Sequence, residues 1–238
     1  MSDFYAKIAK YYDYIFPTGK AQADLIKELA GPPPKDILDA ACGSGGYAQT
    51  LRNEGYNITA IDLSKKMVDK LKGKDSSIDA RVLNMLEVEK LDKQFDLIFC
   101  IGNSIVHLDN NDEIYTFLEG CKKSLKPYGK LLLQVVNYDR VLAKNIKSLP
   151  PIQNHKVNLI FERYYKYVEE SHKVNFKTIL KVDGQKLENN VLLHPVKSAE
   201  LTSFLEQLGF INIHLYGSFK KDPFCPMESF PLIVWTQA

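Results

Sequence analysis

The chain carries almost no net charge. Its 31 lysines and arginines stand against 29 aspartates and glutamates, a formal +2 over 238 residues. That is too little for an electrostatic footprint on nucleic acid or an anionic membrane, so neither is an expected partner. No apolar run approaches bilayer-spanning length. The opening MSDFYAKIAKYYDYIF scatters charges where a signal peptide needs an apolar core. Cysteine is scarce: Cys42, Cys100, Cys121 and Cys225 make no C-x-x-C pair and no metal-ligand spacing. No metal site is expected, and the expected compartment is a reducing one, the cytoplasm. There is no internal repeat and no low-complexity segment. The lysine-rich SKKMVDKLKGK (64–74) has Met67, Val68 and Leu71 at helical spacing, so it reads as a helix with a solvated lysine face.

What is present is alternation. The length fits one domain, or one domain with an elaborate insertion. An aromatic-rich helical stretch, Phe4 to Leu29, is broken at Pro17-Thr18-Gly19, and Gly31 with Pro32-Pro33-Pro34 closes it. Strands are predicted near Ile37–Ala41, Ile58–Ile61, Ala80–Leu83, Phe95–Cys100 and Lys130–Val136. Helices are predicted near Tyr47–Glu54, Lys65–Leu71 and Asp112–Ser124. Strands alternating with helices imply a doubly wound parallel sheet that binds ligands at the carboxyl ends of its strands. From Asn158 to Val196 the pattern changes to three strand-like runs with a hairpin signal at Asp183-Gly184. They predict an antiparallel three-stranded flap with one face over the ligand edge of the sheet. A helix over Ala199–Leu208, a sixth strand over Phe210–Tyr216 and a seventh over Pro231–Trp235 complete the chain.

The most informative segment is ILDAACGSGGYA (37–48), a strand running into a glycine turn and a helix. A second apolar run, Ile58 to Ile61, ends in Asp62. Gly43, Gly45 and Ala48 fit the G-x-G-x-x-G/A dinucleotide fingerprint, with Asp62 about twenty residues on. Glycines let backbone approach a ligand closely, and a carboxylate can accept hydrogen bonds from both ribose hydroxyls. An ordinary strand-to-helix loop would also read this way.

The same turn resembles the D-x-A-C-G-x-G motif of class I S-adenosylmethionine (SAM) methyltransferases, through Asp39, Ala41, Cys42, Gly43 and Gly45. FDLIFCIGNSIVHL (95–108) is similar to their fourth-strand motif, and LKPYGKLLLQV (125–135) to the entry of their fifth strand. The resemblance implies a Rossmann-like α/β fold with a seven-stranded sheet and the antiparallel insertion after the fifth strand. It divides the chain into an N-terminal helical lid (1–34), a SAM-binding core (35–140 and 197–238) and a β insertion covering the active site (141–196). CIGNSIVHL and Asn137-Tyr138-Asp139 further resemble the glycine/sarcosine N-methyltransferases and the sugar-amine N-methyltransferases. The implied activity is methylation of a small-molecule amine, with SAM as cofactor and S-adenosylhomocysteine (SAH) as product. Three alternatives stay open: O-methylation of a small hydroxyl or carboxyl acceptor, a protein that holds SAM without turnover, and a macromolecular methyltransferase. A homodimer is the expected candidate assembly.

The resemblance also implies residue roles. Asp62 is expected on the ribose, with Leu63 beside it. Asp39, Ala41, Gly43 and Gly45 are expected around the methionine portion. Asn84, Met85 and Leu86 are expected at adenine, and Ile101 and Gly102 at the sulfonium. Asn103 is expected to contact the acceptor, with His107 behind it as a candidate base. Tyr11 and Tyr14, at i, i+3 spacing in the lid, offer aromatic faces to a cation. Arg140, Arg163 and His194 are further candidates for the acceptor site. One departure stands out. The glycine enzymes carry an arginine immediately before the N-Y-D element to grip the substrate carboxylate, and here that position is Val136.

Overall fold

The computed structural model describes residues 8–238. The expected helicity of Phe4 and Tyr5 lies outside the described residues. Ile8 is helical, residues 9–11 form turns and a single helical turn, α1 (Tyr12–Ile15), follows, so the described part of this stretch is interrupted where the sequence pattern suggests a continuous helix. After Pro17 the chain enters α2 (Lys20–Ala30) and β1 (Asp36–Ala40). Then follow α3 (Gly46–Asn53), β2 (Asn57–Asp62), α4 (Lys65–Lys74), β3 (Asp79–Val82), β4 (Phe95–Cys100), α5 (Asn111–Ser124) and β5 (Leu125–Val136). These strands and the later β10 (Ile211–Tyr216) and β11 (Pro231–Gln237) form one seven-stranded sheet in the order β10-β11-β5-β4-β1-β2-β3. The first five strands are parallel, and β11 runs antiparallel to β5.

Strand residues alternate between two buried faces. Ile37 joins the cluster built with Leu25, Ile26 and Leu29 of α2, Leu51 of α3 and Leu71 of α4. Leu38 and Ala40 join the opposite cluster, with Ile114, Phe117 and Leu118 of α5 and Leu201 and Leu205 of α7 (Ser198–Gln207). Helices thus cover both faces, which is why these strands read as continuous apolar runs. The strand order reverses between β1 and β4, and the crevice at such a reversal is where open α/β sheets bind ligands.

The short helix α6 (Tyr138–Ala143) leads from β5 into a second sheet, β6 (Ser148–Asn154), β7 (Leu159–Val168), β8 (Lys173–Val182) and β9 (Gln185–Leu193), all antiparallel. Three of its strands match the expected runs. The fourth, β6, hides in SLPPIQN, because Pro150 and Pro151 suppress a strand reading and are tolerated only at an edge or bulge. It is an edge strand, with a register shift at the prolines. Asp183 and Gly184, both at positive φ, turn β8 into β9, as a two-residue hairpin requires.

The second sheet reaches the rest of the molecule at two ends of its inner face. At one end Leu149, Tyr165, Val174 and Leu193 join the main core beside Tyr138. At the other, Phe161, Leu180 and Val182 pack with Ile8 and Ile15 of the N-terminal segment. Among the described residues no helix is long and apolar enough to cross a membrane.

Candidate active site

A cavity of about 280 Å³ opens at the carboxyl ends of β1, β2, β3 and β4, close to the lower bound for small-molecule sites. Its floor is the turn after β1. Gly43 and Gly45 sit at φ 53° and 77°, a region that disfavours any residue with a Cβ. A Cβ at Gly45 would lie 2.3 Å from Leu71 Cδ1, and one at Gly43 would lie 2.8 Å from the Tyr12 hydroxyl. Backbone shape therefore calls for glycine at both positions, and a Cβ there would also force the Tyr12 and Leu71 side chains to shift. Asp62 terminates β2 with both carboxylate oxygens held by backbone. Gly43 N–H donates to Oδ2 at 2.9 Å and Ser64 N–H to Oδ1 at 2.8 Å. These bonds fix the carboxylate while leaving each oxygen a further lone pair.

Burial pushes the Asp62 carboxyl above its ordinary value, against the pull of those two N–H groups. Asp39 lies beneath the turn, 4% exposed. Burial, then the charge of Asp62, push it well above the ordinary value, and its Oδ2 has no hydrogen-bond partner among the described residues. Two carboxyls with raised proton affinity, one of them unsatisfied, make a place for a positively charged or hydrogen-bond-donating group. The cavity wall agrees. Its charged residues are Asp62, Asp109 and Glu113, and no lysine or arginine lines it among the described residues. A dinucleotide pyrophosphate would meet carboxylates there; a sulfonium with an ammonium would be matched.

Ala41, Gly43, Asp62, Leu63, Asn84, Met85, Leu86, Gly102 and His107 all line this cavity. Asn84 sits at the end of β3, where its Oδ1 accepts from Leu86 N–H and holds Met85 and Leu86 in a 3-10 turn at the cavity. Its amide nitrogen remains available to a ligand. Gly102 N–H donates to Gln134 Oε1, which fixes the β4 end against β5. His107 is half-buried in a short 3-10 turn, and burial pushes its imidazole down to about 4.

The other candidates are placed elsewhere. Gly45 and Ile101 support the wall from behind. Asn103 turns its side chain into the scaffold: Oδ1 accepts from Val136 N–H at 2.9 Å, and Nδ2 donates to the Tyr138 hydroxyl at 3.3 Å. It positions the strand ends and is not part of the cavity wall. Tyr11 donates to Asp183 Oδ2 at 2.7 Å, and Tyr14 is 44% exposed, its carbonyl accepting from Asn154. Tyr11 and Tyr14 keep their one-turn spacing, Tyr14 N–H donating to Tyr11 O at 3.0 Å, but both meet the second sheet, and it is Tyr12 that faces the cavity. Arg140 stacks over Phe230. His194 meets Asn111 Oδ1 at 2.6 Å, and burial lowers its pKa. Arg163 lies on β7 in the second sheet, donating to Pro150 O.

Tyr12, Ser64, Met67, Leu83, Ser104, Leu108, Asp109 and Glu113 complete the wall. Ser64 and Met67 follow Asp62 directly and could have been read from it. The loop residues Asp109 and Glu113 carried no motif. The N-terminal segment is latched over the glycine turn. Asp13 accepts from Ser44 Oγ and pairs with Lys70 at 2.9 Å and Lys74 at 3.0 Å, while Lys70 also donates to Ala9 O. Burial pushes the Asp13 carboxyl up, but hydrogen bonds from Ser44, Lys70 and Lys74 outweigh it and leave the pKa below the ordinary value.

A family model described as "Methyltransferase domain" matches residues 37–129. A glycine/sarcosine N-methyltransferase from Halorhodospira halochloris is 27% identical over 210 residues, covering 84% of this chain and 75% of that one. The CcbJ methyltransferase from Streptomyces caelestis superposes with a TM-score of 0.82 at 18% identity, over 100% of this chain and 99% of that one. The sugar N-methyltransferase KedS8 from a Streptoalloteichus species gives a TM-score of 0.72 at 13% identity, over 94% and 90% of the two chains.

Proposed function

Because the chain is a class I SAM-dependent methyltransferase, we propose that it methylates the nitrogen of a small-molecule amine. The observation that carries the choice of nitrogen is His107. It is the cavity's one imidazole among the described residues, and burial pushes it down to about 4. A hydroxyl acceptor needs a base to remove its proton as it attacks, and a base is most effective when its pKa lies near the working pH. A neutral amine attacks through its own lone pair and needs no such base. The glycine/sarcosine N-methyltransferase relative points to the same reaction.

Bound SAM supplies a methyl group on a sulfonium, open to in-line displacement. The protein's own residues bind and orient. Asp62 would accept from the ribose hydroxyls, and Asn84, Met85 and Leu86 would hold the adenine edge and faces. The turn from Ala41 to Gly45 would receive the methionine end, with the buried Asp39, one oxygen unsatisfied among the described residues, behind it. Tyr12 closes the turn from above and helps exclude water. Holding two reactants in line can supply most of the rate enhancement without acid or base.

Glycine itself is expected to be a poor acceptor. Val136, buried in the main core immediately before the N-Y-D element, cannot pair with a carboxylate, and an unpaired buried charge costs several kcal/mol, at least about a hundredfold in affinity. The test is transfer of labelled methyl from SAM to panels of alkyl amines, sugar amines, glycine and matched alcohols. Amines methylated ahead of alcohols support the reading. Alcohols methylated with amines untouched would overturn it, and efficient turnover of glycine would show that its carboxylate is held from elsewhere.

A further inference from the structure

The inner face of the second sheet is banded. Phe161, Leu180 and Leu187 form one cross-strand row, packed against the N-terminal segment, with Phe161 edge-on to Phe16 at 5.7 Å. Tyr165, Phe176 and Val191 form another, packed on the core, with Tyr165 stacked on Phe176 and 6.3 Å from Tyr138. Between these apolar rows lies a polar one: Arg163, Thr178 and Asn189 in register. A strand alternates its faces with period two, so Arg163 projects from the same face as Phe161 and Tyr165.

Among the described residues this row is not satisfied. Arg163 donates one guanidinium bond, to Pro150 O, and its buried Nε has no partner among the described residues. Thr178, directly opposite, is 2% exposed, and its Oγ1 also has none. Arg163 belongs to no ion pair among those described. The acids nearest in sequence, Glu162 and Glu188, lie on the other face and are paired to Lys181, Lys177 and Lys186. A guanidinium half-buried between two apolar rows without a counter-charge is costly, and a neighbouring unsatisfied hydroxyl adds to the cost. Planar bidentate donors of this kind match carboxylate and phosphate oxygens.

Resting on the amine reading above, we propose that Arg163 and Thr178 form an anion subsite for the methyl acceptor, which is an amine that also carries a carboxylate or a phosphate-type group. The subsite stands apart from the cofactor cavity. Tyr165 touches Tyr138, whose hydroxyl accepts from Asn103 beside Gly102, and Arg163 lies one further strand repeat away, about 7 Å along β7. The anion and the nitrogen are therefore separated by several bonds. Glycine, with a single carbon between them, does not span the gap.

The experiment uses the full chain saturated with SAH and matched probes: γ-aminobutyrate against butylamine, and aminopropylphosphonate against propylamine. Calorimetric titration is expected to show the anionic member of at least one pair binding about ten- to a hundredfold tighter, as charge-assisted bidentate bonds allow. The pair that responds separates carboxylate from phosphonate. Arg163→Gln should reduce the preference to within about twofold while SAH affinity, which reports folding, is kept; Arg163→Lys should restore part of it, and Thr178→Val should lower it less. Equal affinity within both pairs, no binding of either anionic probe at millimolar concentration, or a preference unchanged in Arg163→Gln would each overturn the subsite. Methyl transfer separates it from the reading beneath it. Methylation of γ-hydroxybutyrate with no amine methylated would sink the amine assignment and leave the subsite standing, whereas equal turnover of charged and neutral amines would do the reverse.

Discussion

At the scale of single residues, Asp62 and His107 make opposite demands on charge. Asp62 is held by two backbone N–H groups, so it is pre-oriented for two further acceptances. Asp62→Ala is expected to weaken SAH binding about ten- to a hundredfold, since two charge-assisted hydrogen bonds of roughly 1.5–3 kcal/mol each are lost before water compensates. An unchanged dissociation constant in a folded variant would remove Asp62 from the site. His107 is buried enough that its folded pKa falls to about 4, against about 6.5 in an unfolded chain. Between those values the unfolded state binds more protons, so stability rises with pH there. The contribution of a neutral buried His107 is fully present above about pH 6.5 and lost as pH falls through about 4. His107→Gln should flatten that slope in urea unfolding at pH 4.5, 5.5 and 7. A slope identical to that of the parent protein would assign the acid sensitivity to other groups. These roles were legible to different degrees. The Asp62 position followed from a strand ending in a carboxylate beside a glycine turn. The unsatisfied Oδ2 of Asp39 and the inward use of Asn103 depend on three-dimensional neighbours that no local pattern encodes.

At the scale of elements, strands buried on both faces announced themselves as apolar runs, and the Asp183-Gly184 hairpin through its turn chemistry. What was missed shares one cause: local signals that conflict with the tertiary result. Pro150 and Pro151 mask β6, and the aromatic run Tyr11–Phe16 suggests a continuous helix where the chain makes turns and a single helical turn. Within that one turn Tyr12 faces the cofactor cavity while Tyr11 and Tyr14 face the second sheet. The interruption gives α1 too little helix to hold itself in place, since short helices depend on tertiary contacts. The Asp13 latch to Ser44, Lys70 and Lys74 supplies them. Partly exposed ion pairs are individually weak, but three donors converge on one carboxylate. Asp13→Asn is expected to speed SAH release about three- to tenfold, as loss of roughly 1 kcal/mol implies. Stopped-flow displacement measures this, and a release rate equal to the parent's would mean that the N-terminal segment does not gate the cavity.

At the scale of the whole molecule, three bodies close on one another around the cavity. The N-terminal segment touches the second sheet through Tyr11 and Asp183 and through Tyr14 and Asn154. It touches the core through the Asp13 latch. The second sheet touches the core through Tyr165 and Tyr138, through Lys173 and Asp109, and through His194 N–H and Val106 O. Tyr11 and Asp183 are 172 residues apart in the chain, which is why this closure could not be read from sequence. A ligand that binds the cavity should therefore stabilise all three bodies. At about a hundred times its dissociation constant, SAH adds about 2.7 kcal/mol to stability, and for a chain of this size that raises Tm by about 5–10 °C. NAD should give no shift, because its pyrophosphate meets a wall whose charged residues are Asp62, Asp109 and Glu113. A shift with NAD and none with SAH would overturn the cofactor assignment. The coupling has a separate signature in hydrogen exchange. SAH should slow exchange at the carboxyl ends of β1 to β4, and also in α1 and the β8–β9 hairpin, which the Tyr11–Asp183 bond ties to it. Tyr11→Phe removes that bond while keeping the ring, so protection of the hairpin should fall while protection of Asp62 and Asn84 stays. If SAH protects only the strand ends in the parent protein, the second sheet moves independently of cofactor binding, and Tyr11–Asp183 is a contact without a functional consequence.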